Sequence, residues 1–352
     1  MQLPEILGHE RVLERFRRSL ERRRLASSFL FLGPPGIGKR TAALYLAQCL
    51  LCETSADDQL AACQICPGCL QVAALSHPDL ILVSKPQDKN FIPVELFIGD
   101  REHRMREGLC HDIALKPFRG GRKVAIIDDA DYFNQEGANC LLKTLEEPPK
   151  GSVLILIGTS EQRQLPTIRS RCQIVRFAPL SDDIVARLLR AQCELAPEKV
   201  HAVARRSGGS LSRAMELVSS ELVEAQHVLL TQLGQRQFDS VPLAATVNSF
   251  VDAAGKDAPP RRARLRALVR GAADFYRELM RHAAASGHGM TGPPDSLAAN
   301  AREHWQASSL VAADCLERCL AALAQIDANA NLSTLIFCWI DDLAELARPR
   351  RP

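Results

Sequence analysis

The feature that most constrains this chain is a glycine-rich segment, residues 33–41, which directly follows the apolar run 29–32. The pattern G-x-x-x-x-G-K is complete from Gly33 to Lys39. In such a segment, backbone N–H groups and the N-terminus of the next helix surround a phosphate, and the lysine adds a positive charge. The order of strand, glycine-rich turn and helix therefore predicts a phosphate-binding loop (P-loop) in an α/β domain.

One position of this P-loop departs from the usual chemistry. The residue after the lysine is normally Ser or Thr, whose hydroxyl binds Mg²⁺, whereas here it is Arg40. Thr41 does not replace it, because one step along a helix turns a side chain by about 100°. The sequence leaves open whether ATP and Mg²⁺ bind. The candidate nucleotide-binding residues of the loop are Gly33, Gly36, Gly38, Lys39 and Arg40.

An acidic segment further along the chain is also typical of a P-loop site. Residues 124–127 form an apolar run that ends in Asp128 and Asp129. A buried strand that ends in a carboxylate can deliver it to the Mg²⁺ of a P-loop site, which is the role we expect for Asp128. Asp129 stands where a hydrolytic enzyme of this type has a longer glutamate. One methylene less withdraws the carboxylate by about 1.5 Å, which is enough to spoil its alignment with an attacking water.

A cluster of cysteines follows the predicted P-loop helix. Its spacing is C-x10-C-x2-C-x2-C, over Cys52, Cys63, Cys66 and Cys69. Four thiolates close a tetrahedral Zn²⁺ site and leave no open position for catalysis, so we expect a structural zinc insert at about residues 52–69. The first ligand is the least certain of the four, since Cys49 lies one helical turn earlier.

Composition narrows the class of protein. The 352 residues are 46% hydrophobic and 24% charged, as in ordinary globular proteins of two or three domains. A net charge of +3 excludes a general electrostatic attraction to nucleic acid, so any such contact must be local. No apolar run approaches the roughly 18–20 residues that span a bilayer, and no signal peptide is apparent. We expect a cytoplasmic protein without membrane contact.

Strand and helix signals alternate as far as residue 178 and then give way to helices alone. All-apolar strands such as residues 153–157 are typical of a parallel sheet covered on both faces, so the first part predicts a doubly wound α/β domain. Short helices are expected over 179–240 and an alanine-rich helical region over 241–352. An interruption is expected at residues 286–295.

Several motifs stand in a fixed order along the chain. They are residues 6–9 (ILGH), the P-loop, the cysteine insert, 139–149 (NCLLKTLEEPP), 170–172 (SRC) and 329–332 (NANL). The ordered set resembles the bacterial clamp-loader subunits of the AAA+ ATPases, and the resemblance covers most of the chain. It implies an AAA+ domain at 1–178, a small helical lid at 179–240 and an all-α collar at 241–352 that holds subunits in a ring.

The resemblance also implies roles for two arginines. Arg171 of the Ser-Arg-Cys motif would be an arginine finger, inserted in trans into the ATP site of a neighbouring subunit. Arg213 matches a lid position that touches nucleotide in the ATPase members. Because Arg40 and Asp129 depart from the ATPase pattern, the resemblance implies a member that does not hydrolyse ATP. Its partners would be the gamma/tau and delta subunits, the sliding clamp and primed DNA.

Two other interpretations remain open from the sequence. The chain can be an active gamma-like clamp-loader ATPase or another AAA+ remodeller, if Arg40 is tolerated and Asp129 suffices. It can also be a zinc-stabilised scaffold that contacts DNA through seven arginines in residues 11–24. ATP turnover by the purified chain distinguishes the first, and strongly salt-dependent DNA binding distinguishes the second.

Overall fold

A computed structural model describes residues 6–56, 58–86, 89–118, 121–193, 195–235, 237–284, 298, 301, 305 and 309–348. The chain divides into two compact units, residues 1–215 and 216–352. This division falls inside the segment 179–240, for which the sequence predicts a lid, so the boundaries at 178 and 240 stay predictions. The predicted interruption at 286–295 lies outside the described residues.

A parallel β-sheet forms the centre of the first unit. Within the described residues its five strands follow the order β2-β3-β4-β1-β5, and every neighbouring pair is parallel. The strands are β1 (Ser28–Leu32), β2 (Leu80–Val83), β3 (Lys123–Ile127), β4 (Ser152–Gly158) and β5 (Gln173–Arg176). Strands β1, β3 and β4 are buried at every position, as expected for central strands of a covered sheet.

Helices precede, connect and follow these strands along the chain. They are α1 (Glu10–Glu21), α2 (Lys39–Leu50), α3 (Pro67–Ala73), α4 (Glu95–Ile98), α5 (Leu109–Ala114), α6 (Gln135–Glu146), α7 (Pro166–Arg169), α8 (Asp182–Gln192), α9 (Pro197–Ser207) and α10 (Leu211–Val218). Parallel strands need such crossover connections, and they bury the apolar side chains of the sheet against helices. The predicted doubly wound α/β fold is confirmed.

Parallel pairing brings the functional loops to one edge of the sheet. The P-loop follows β1 and the two aspartates follow β3, while the intervening strand β4 pairs with both. Carboxyl ends of parallel strands lie at the same edge, which is where α/β proteins bind ligands. The distant segments around residues 33 and 128 therefore meet.

The second unit is helical throughout its described part. Its helices are α11 (Ser220–Gly234), α12 (Ser240–Asp252), α13 (Ala258–Ala284), α14 (Ser309–Asp327) and α15 (Leu332–Ala347). They enclose one core in which Tyr276 and Trp339 are completely buried. Among the helices of the described ranges, none combines the length and apolarity needed to cross a bilayer.

Candidate functional site

The P-loop carries its glycines in the conformation that the motif requires. Gly36 and Gly38 have φ of +74° and +95°, which favours glycine, and α2 begins at Lys39. The backbone N–H of Leu211, at the start of α10, donates to the carbonyl oxygen of Gly36 at 2.9 Å. A Cβ on Gly36 would lie 2.3 Å from Ser210 Oγ. The glycine therefore lets α10 approach the loop closely.

Lys39 lies within the loop and is 7% exposed. Its Nζ donates to the carbonyl oxygens of Gly33 and Pro34, each at 2.6 Å. Burial lowers the pKa of Lys39, and Asp128 and Asp131 act in the opposite direction. The ammonium group is thus held at the loop as the motif predicts.

Arg40 and Asp128, the residues at the expected Mg²⁺ position, form an ion pair. Arg40 Nη1 lies 3.5 Å from Asp128 Oδ2 across 88 residues of sequence. The second carboxylate oxygen, Oδ1, accepts the backbone N–H of Asp129 at 3.0 Å. Both oxygens of Asp128 therefore have donors within the protein, and the structure brings the P-loop and the end of β3 together as the sequence analysis predicted.

Asp129 adopts a left-handed backbone conformation, with φ of +59°. Burial raises the pKa of its carboxyl group, and the neighbouring Asp128 raises it further, while Lys85 lowers it. Its side chain is one methylene shorter than that of the glutamate expected in an active ATPase, so its carboxylate is withdrawn by about 1.5 Å. Asp129 borders the same cavity as the P-loop.

Asp131 belongs to the site although the sequence analysis gave it no role. Its carboxylate accepts the backbone N–H of Thr159 at 3.0 and 3.1 Å and the Thr159 hydroxyl at 2.6 Å. Gln164 Nε2 donates to the same carboxylate. The Asp131 side chain is 3% exposed. It fixes the end of β4 beside the pocket, and its spacing three residues after Asp128 is the sequence signal for it.

These elements border a cavity of about 370 Å³, a size that suits a nucleotide. P-loop, acidic and apolar residues line it, including Ile6, Leu7, His9, Gly36, Lys39, Arg40, Asp128, Asp129, Asp131, Thr159, Leu188 and Leu211. His9 is buried, and its Nε2 donates to the carbonyl oxygen of Ile37 at 2.6 Å. Among the described residues that line the cavity, α10 contributes Leu211 and Ser212 but not Arg213.

The four predicted zinc ligands form one cluster. The sulfur atoms of Cys52, Cys63, Cys66 and Cys69 all lie within 4.8 Å of one another. Two of the separations are 4.0 Å, from Cys52 to Cys66, and 3.9 Å, from Cys63 to Cys69. A tetrahedral Zn²⁺ with bonds of about 2.3 Å requires sulfur separations of about 3.8 Å, so the cluster fits the ion.

Hydrogen bonds from surrounding donors lower the pKa of Cys52 and Cys63, whereas burial raises the pKa of Cys66 and Cys69. The Sγ atoms of Cys63 and Cys66 accept backbone N–H groups of the following turns, at 3.3 Å each. Burial raises the pKa of Cys52, but hydrogen bonds from Ser55, Thr54 and the backbone outweigh it and lower the value to about 5.

The alternative ligand Cys49 lies apart from the four-cysteine cluster. It is buried on α2, and burial raises the pKa of its thiol to about 12. The group of cysteines whose sulfur atoms lie within 4.8 Å of one another includes Cys52 but not Cys49. The structure therefore assembles the cluster that could hold a metal ion from Cys52 and not from Cys49.

The four-cysteine cluster is joined to the P-loop helix. Gln48, which is buried on α2, donates from Nε2 to the carbonyl oxygen of Cys69 at 3.0 Å. Helices α2 and α3 pack together. A zinc ion bound by the four cysteines would thus stabilise the packing of the helix that begins at Lys39.

Arg171 is held by an ion pair that sequence reasoning missed. Its Nε donates to Glu146 Oε1 at 2.7 Å, and Nη2 donates to the same oxygen. Nη1 donates to the carbonyl oxygen of Thr167 at 3.0 Å and to Ser170 Oγ at 3.2 Å. The Arg171 side chain remains 31% exposed. The guanidinium is therefore fixed in orientation and reaches solvent.

Comparison with known proteins identifies related chains. Residues 8–181 match the sequence model of a family described as "DNA polymerase III, delta subunit". A Pseudomonas aeruginosa protein named "DNA polymerase III subunit delta'" is 34% identical over 233 residues, which cover 64% of this chain and 66% of that protein. A Bacillus subtilis protein of the same name is 31% identical over 207 residues, covering 59% and 58%.

A relative with the name of another DNA polymerase III subunit is also similar. "DNA polymerase III subunit tau" of Salmonella typhimurium is 27% identical over 261 residues, which cover 72% of this chain and 38% of that protein. The matched region thus spans between 58% and 66% of the length of the two relatives named delta'.

Proposed function

Because residues 8–181 belong to the DNA polymerase III delta-subunit family, we propose that this chain is a clamp-loader subunit of the delta-prime type. In this role it does not hydrolyse ATP itself. It supplies Arg171 to the ATP site of a neighbouring gamma or tau subunit, and with a delta subunit it helps to load the sliding clamp on primed DNA. DNA replication implies a cytoplasmic location for such a complex.

The chemistry of the chain's own pocket supports a subunit that does not hydrolyse ATP. Arg40 replaces the hydroxyl that would bind Mg²⁺, and its guanidinium pairs with Asp128. Asp129 replaces the longer glutamate, which withdraws the carboxylate by about 1.5 Å. An active P-loop enzyme needs both the metal and a carboxylate that orients the attacking water. This pocket lacks the hydroxyl ligand for the metal, and its carboxylate at position 129 is shorter than the one that orients the water.

The observation that carries the proposal is the position of Arg171. It precedes β5, whereas the P-loop follows β1, and these two strands are parallel neighbours. The four paired residues between them separate the two strand ends by roughly 10 Å, at about 3.3 Å per residue. Arg171 is thus at the opposite edge of the sheet from the chain's own P-loop, as an arginine that serves another subunit needs to be.

The way in which Arg171 is held also supports the role. Three of its nitrogen atoms donate to Glu146, Thr167 or Ser170, yet part of the side chain is open to solvent. A guanidinium that is oriented before assembly loses little conformational freedom when it meets phosphate oxygens. Arginine fingers supplied in trans accelerate phosphoryl transfer by about 10³–10⁵-fold in well-studied cases.

The remaining elements have structural roles in this proposal. The four cysteines hold a structural zinc ion, and ATP with Mg²⁺ belongs to the neighbouring subunits. The helices of the second unit include the collar that joins the ring. Arg213, which lies on α10, stabilises the lid segment and does not contact nucleotide.

The proposal is tested by replacing Arg171 with Ala in a complex reconstituted with the gamma or tau and delta subunits of the same organism. We expect ATP turnover and clamp loading to fall strongly while the complex still assembles by gel filtration. Arg169→Ala is the matched control, since Arg169 is an exposed arginine on α7. Unchanged turnover and loading with Arg171→Ala would rule out the finger role.

The second candidate is an active gamma-like ATPase or another AAA+ remodeller. The cavity of about 370 Å³ and the buried Lys39 favour it, because a pocket of this kind retains the main groups that hold phosphates. ATP turnover by the isolated chain, at a rate comparable with that of its complex, would select this candidate.

A further inference from the structure

The divalent-cation position of the pocket does not fit Mg²⁺. A cation there needs the hydroxyl that Arg40 replaces and an accessible carboxylate from Asp128. Instead, Arg40 Nη1 lies 3.5 Å from Asp128 Oδ2, and the other carboxylate oxygen accepts a backbone N–H. A Mg²⁺ ion would have lost one ligand and would have to displace a guanidinium from a second, at a site where it demands near-ideal octahedral geometry.

The phosphate position of the same pocket does fit an anion. In the described part of the chain, none of the backbone N–H groups of residues 36–40 donates to an acceptor. Two of these residues, Ile37 and Lys39, are buried. Residues 36–40 all border the cavity, so these N–H groups and the Lys39 ammonium give it the donors that bind an anion with several acceptor oxygens.

The Arg40 guanidinium offsets part of the negative charge at the cavity. Three carboxylates, those of Asp128, Asp129 and Asp131, border the cavity and would repel a phosphate. Asp131 is hydrogen-bonded by Thr159 and Gln164, and burial raises the pKa of Asp129. The Arg40 guanidinium offsets the charge of Asp128, which is the part that Mg²⁺ plays in an ordinary P-loop site. Its other N–H groups can donate to phosphate oxygens.

We infer that this pocket binds a nucleoside diphosphate or triphosphate without a divalent cation, with the Arg40 guanidinium in the place of Mg²⁺. The apolar lining residues Ile6, Leu7 and Leu188 give the cavity room and a surface for the nucleoside beyond the phosphates. The bound nucleotide is retained and not cleaved. The inference concerns the chain's own pocket and holds whether or not Arg171 serves a neighbouring subunit.

Calorimetric titration of the full chain with ADP, in EDTA and in excess Mg²⁺, tests this inference. We expect the wild-type affinity to be the same in both conditions within about twofold. Arg40→Thr restores the hydroxyl and frees Asp128, so Mg²⁺ should raise its ADP affinity by about tenfold, within the usual range of coupling between two ligands. Arg15→Thr removes an exposed arginine from α1 and should behave as the wild type.

The outcomes separate clearly. Loss of ADP binding in Lys39→Ala, with an unchanged thermal unfolding curve, would support binding in this pocket. A wild-type chain that binds ADP only with Mg²⁺, or that does not bind ADP at millimolar concentration, would overturn the inference. Inorganic phosphate is the comparison probe. If it binds as tightly as ADP, the assignment of a nucleotide is wrong.

Discussion

Replacing Glu146 with Gln tests how the proposed finger arginine is held. Glu146 is the last residue of α6, and its Oε1 accepts from both Nε and Nη2 of Arg171 across 25 residues of sequence. The amide of Gln keeps one acceptor oxygen but removes the charge. The variant therefore weakens the orientation of the guanidinium without removing the guanidinium itself.

The expected magnitude follows from the exposure of the pair. Hydrogen bonds to charged groups contribute about 1.5–3 kcal/mol when shielded from water. Here the Arg171 and Glu146 side chains are 31% and 48% exposed, so solvent screens them. A contribution of about 0.5–1 kcal/mol is then appropriate. Lost in full from the transition state, this amount lowers the rate at the neighbouring site by about two- to fivefold.

Steady-state ATP turnover of the reconstituted complex measures this effect. We expect Glu146→Gln to lower kcat with little change in KM, because an arginine finger acts on the charge that develops during phosphoryl transfer. Glu147→Gln is the matched control, since it removes the adjacent exposed carboxylate. Equal kcat values for the two variants would show that Glu146 does not position Arg171, and a fall as large as that of Arg171→Ala would show more than a positioning role.

Two further predictions concern stability. We expect about one zinc ion per chain, and removal of zinc by a chelator, or Cys69→Ser, should lower both the zinc content and the Tm. Cys338→Ser changes an exposed thiol of the second unit and should leave both unchanged. An unaltered Tm after complete metal removal would contradict the structural role. Gly36→Ala should destabilise the first unit by about 1–3 kcal/mol, because its Cβ would lie 2.3 Å from Ser210 Oγ at a φ of +74°. Gly121→Ala, where no atom lies within 4 Å of the added Cβ, is the control in urea unfolding.

Sequence reasoning identified the parts of the molecule that depend on local patterns. The glycine spacing around Lys39 predicted the strand, turn and helix that the structure has, since a P-loop is a short contiguous segment. The cysteine spacing predicted the four-sulfur cluster, and only the choice between Cys49 and Cys52 needed the fold. The all-apolar strands predicted a sheet covered on both faces.

The contacts that decide chemistry could not be predicted in the same way. The ion pair of Arg40 with Asp128 joins residues 88 positions apart, and its formation depends on the order of β1, β4 and β3 in the sheet. The ion pair of Arg171 with Glu146 likewise depends on where α6 ends relative to β5. Asp131 lies only three residues after Asp128 in the sequence, but its partners Thr159 and Gln164 follow a different strand, β4.

One measurement addresses the central claim most directly, namely ATP turnover by this chain alone and after addition of its gamma or tau and delta partners. The account predicts negligible turnover by the isolated chain and a complex whose turnover depends on the presence of this chain and on Arg171. Rapid hydrolysis by the isolated chain, or a complex that turns over ATP equally well without it, would contradict the account.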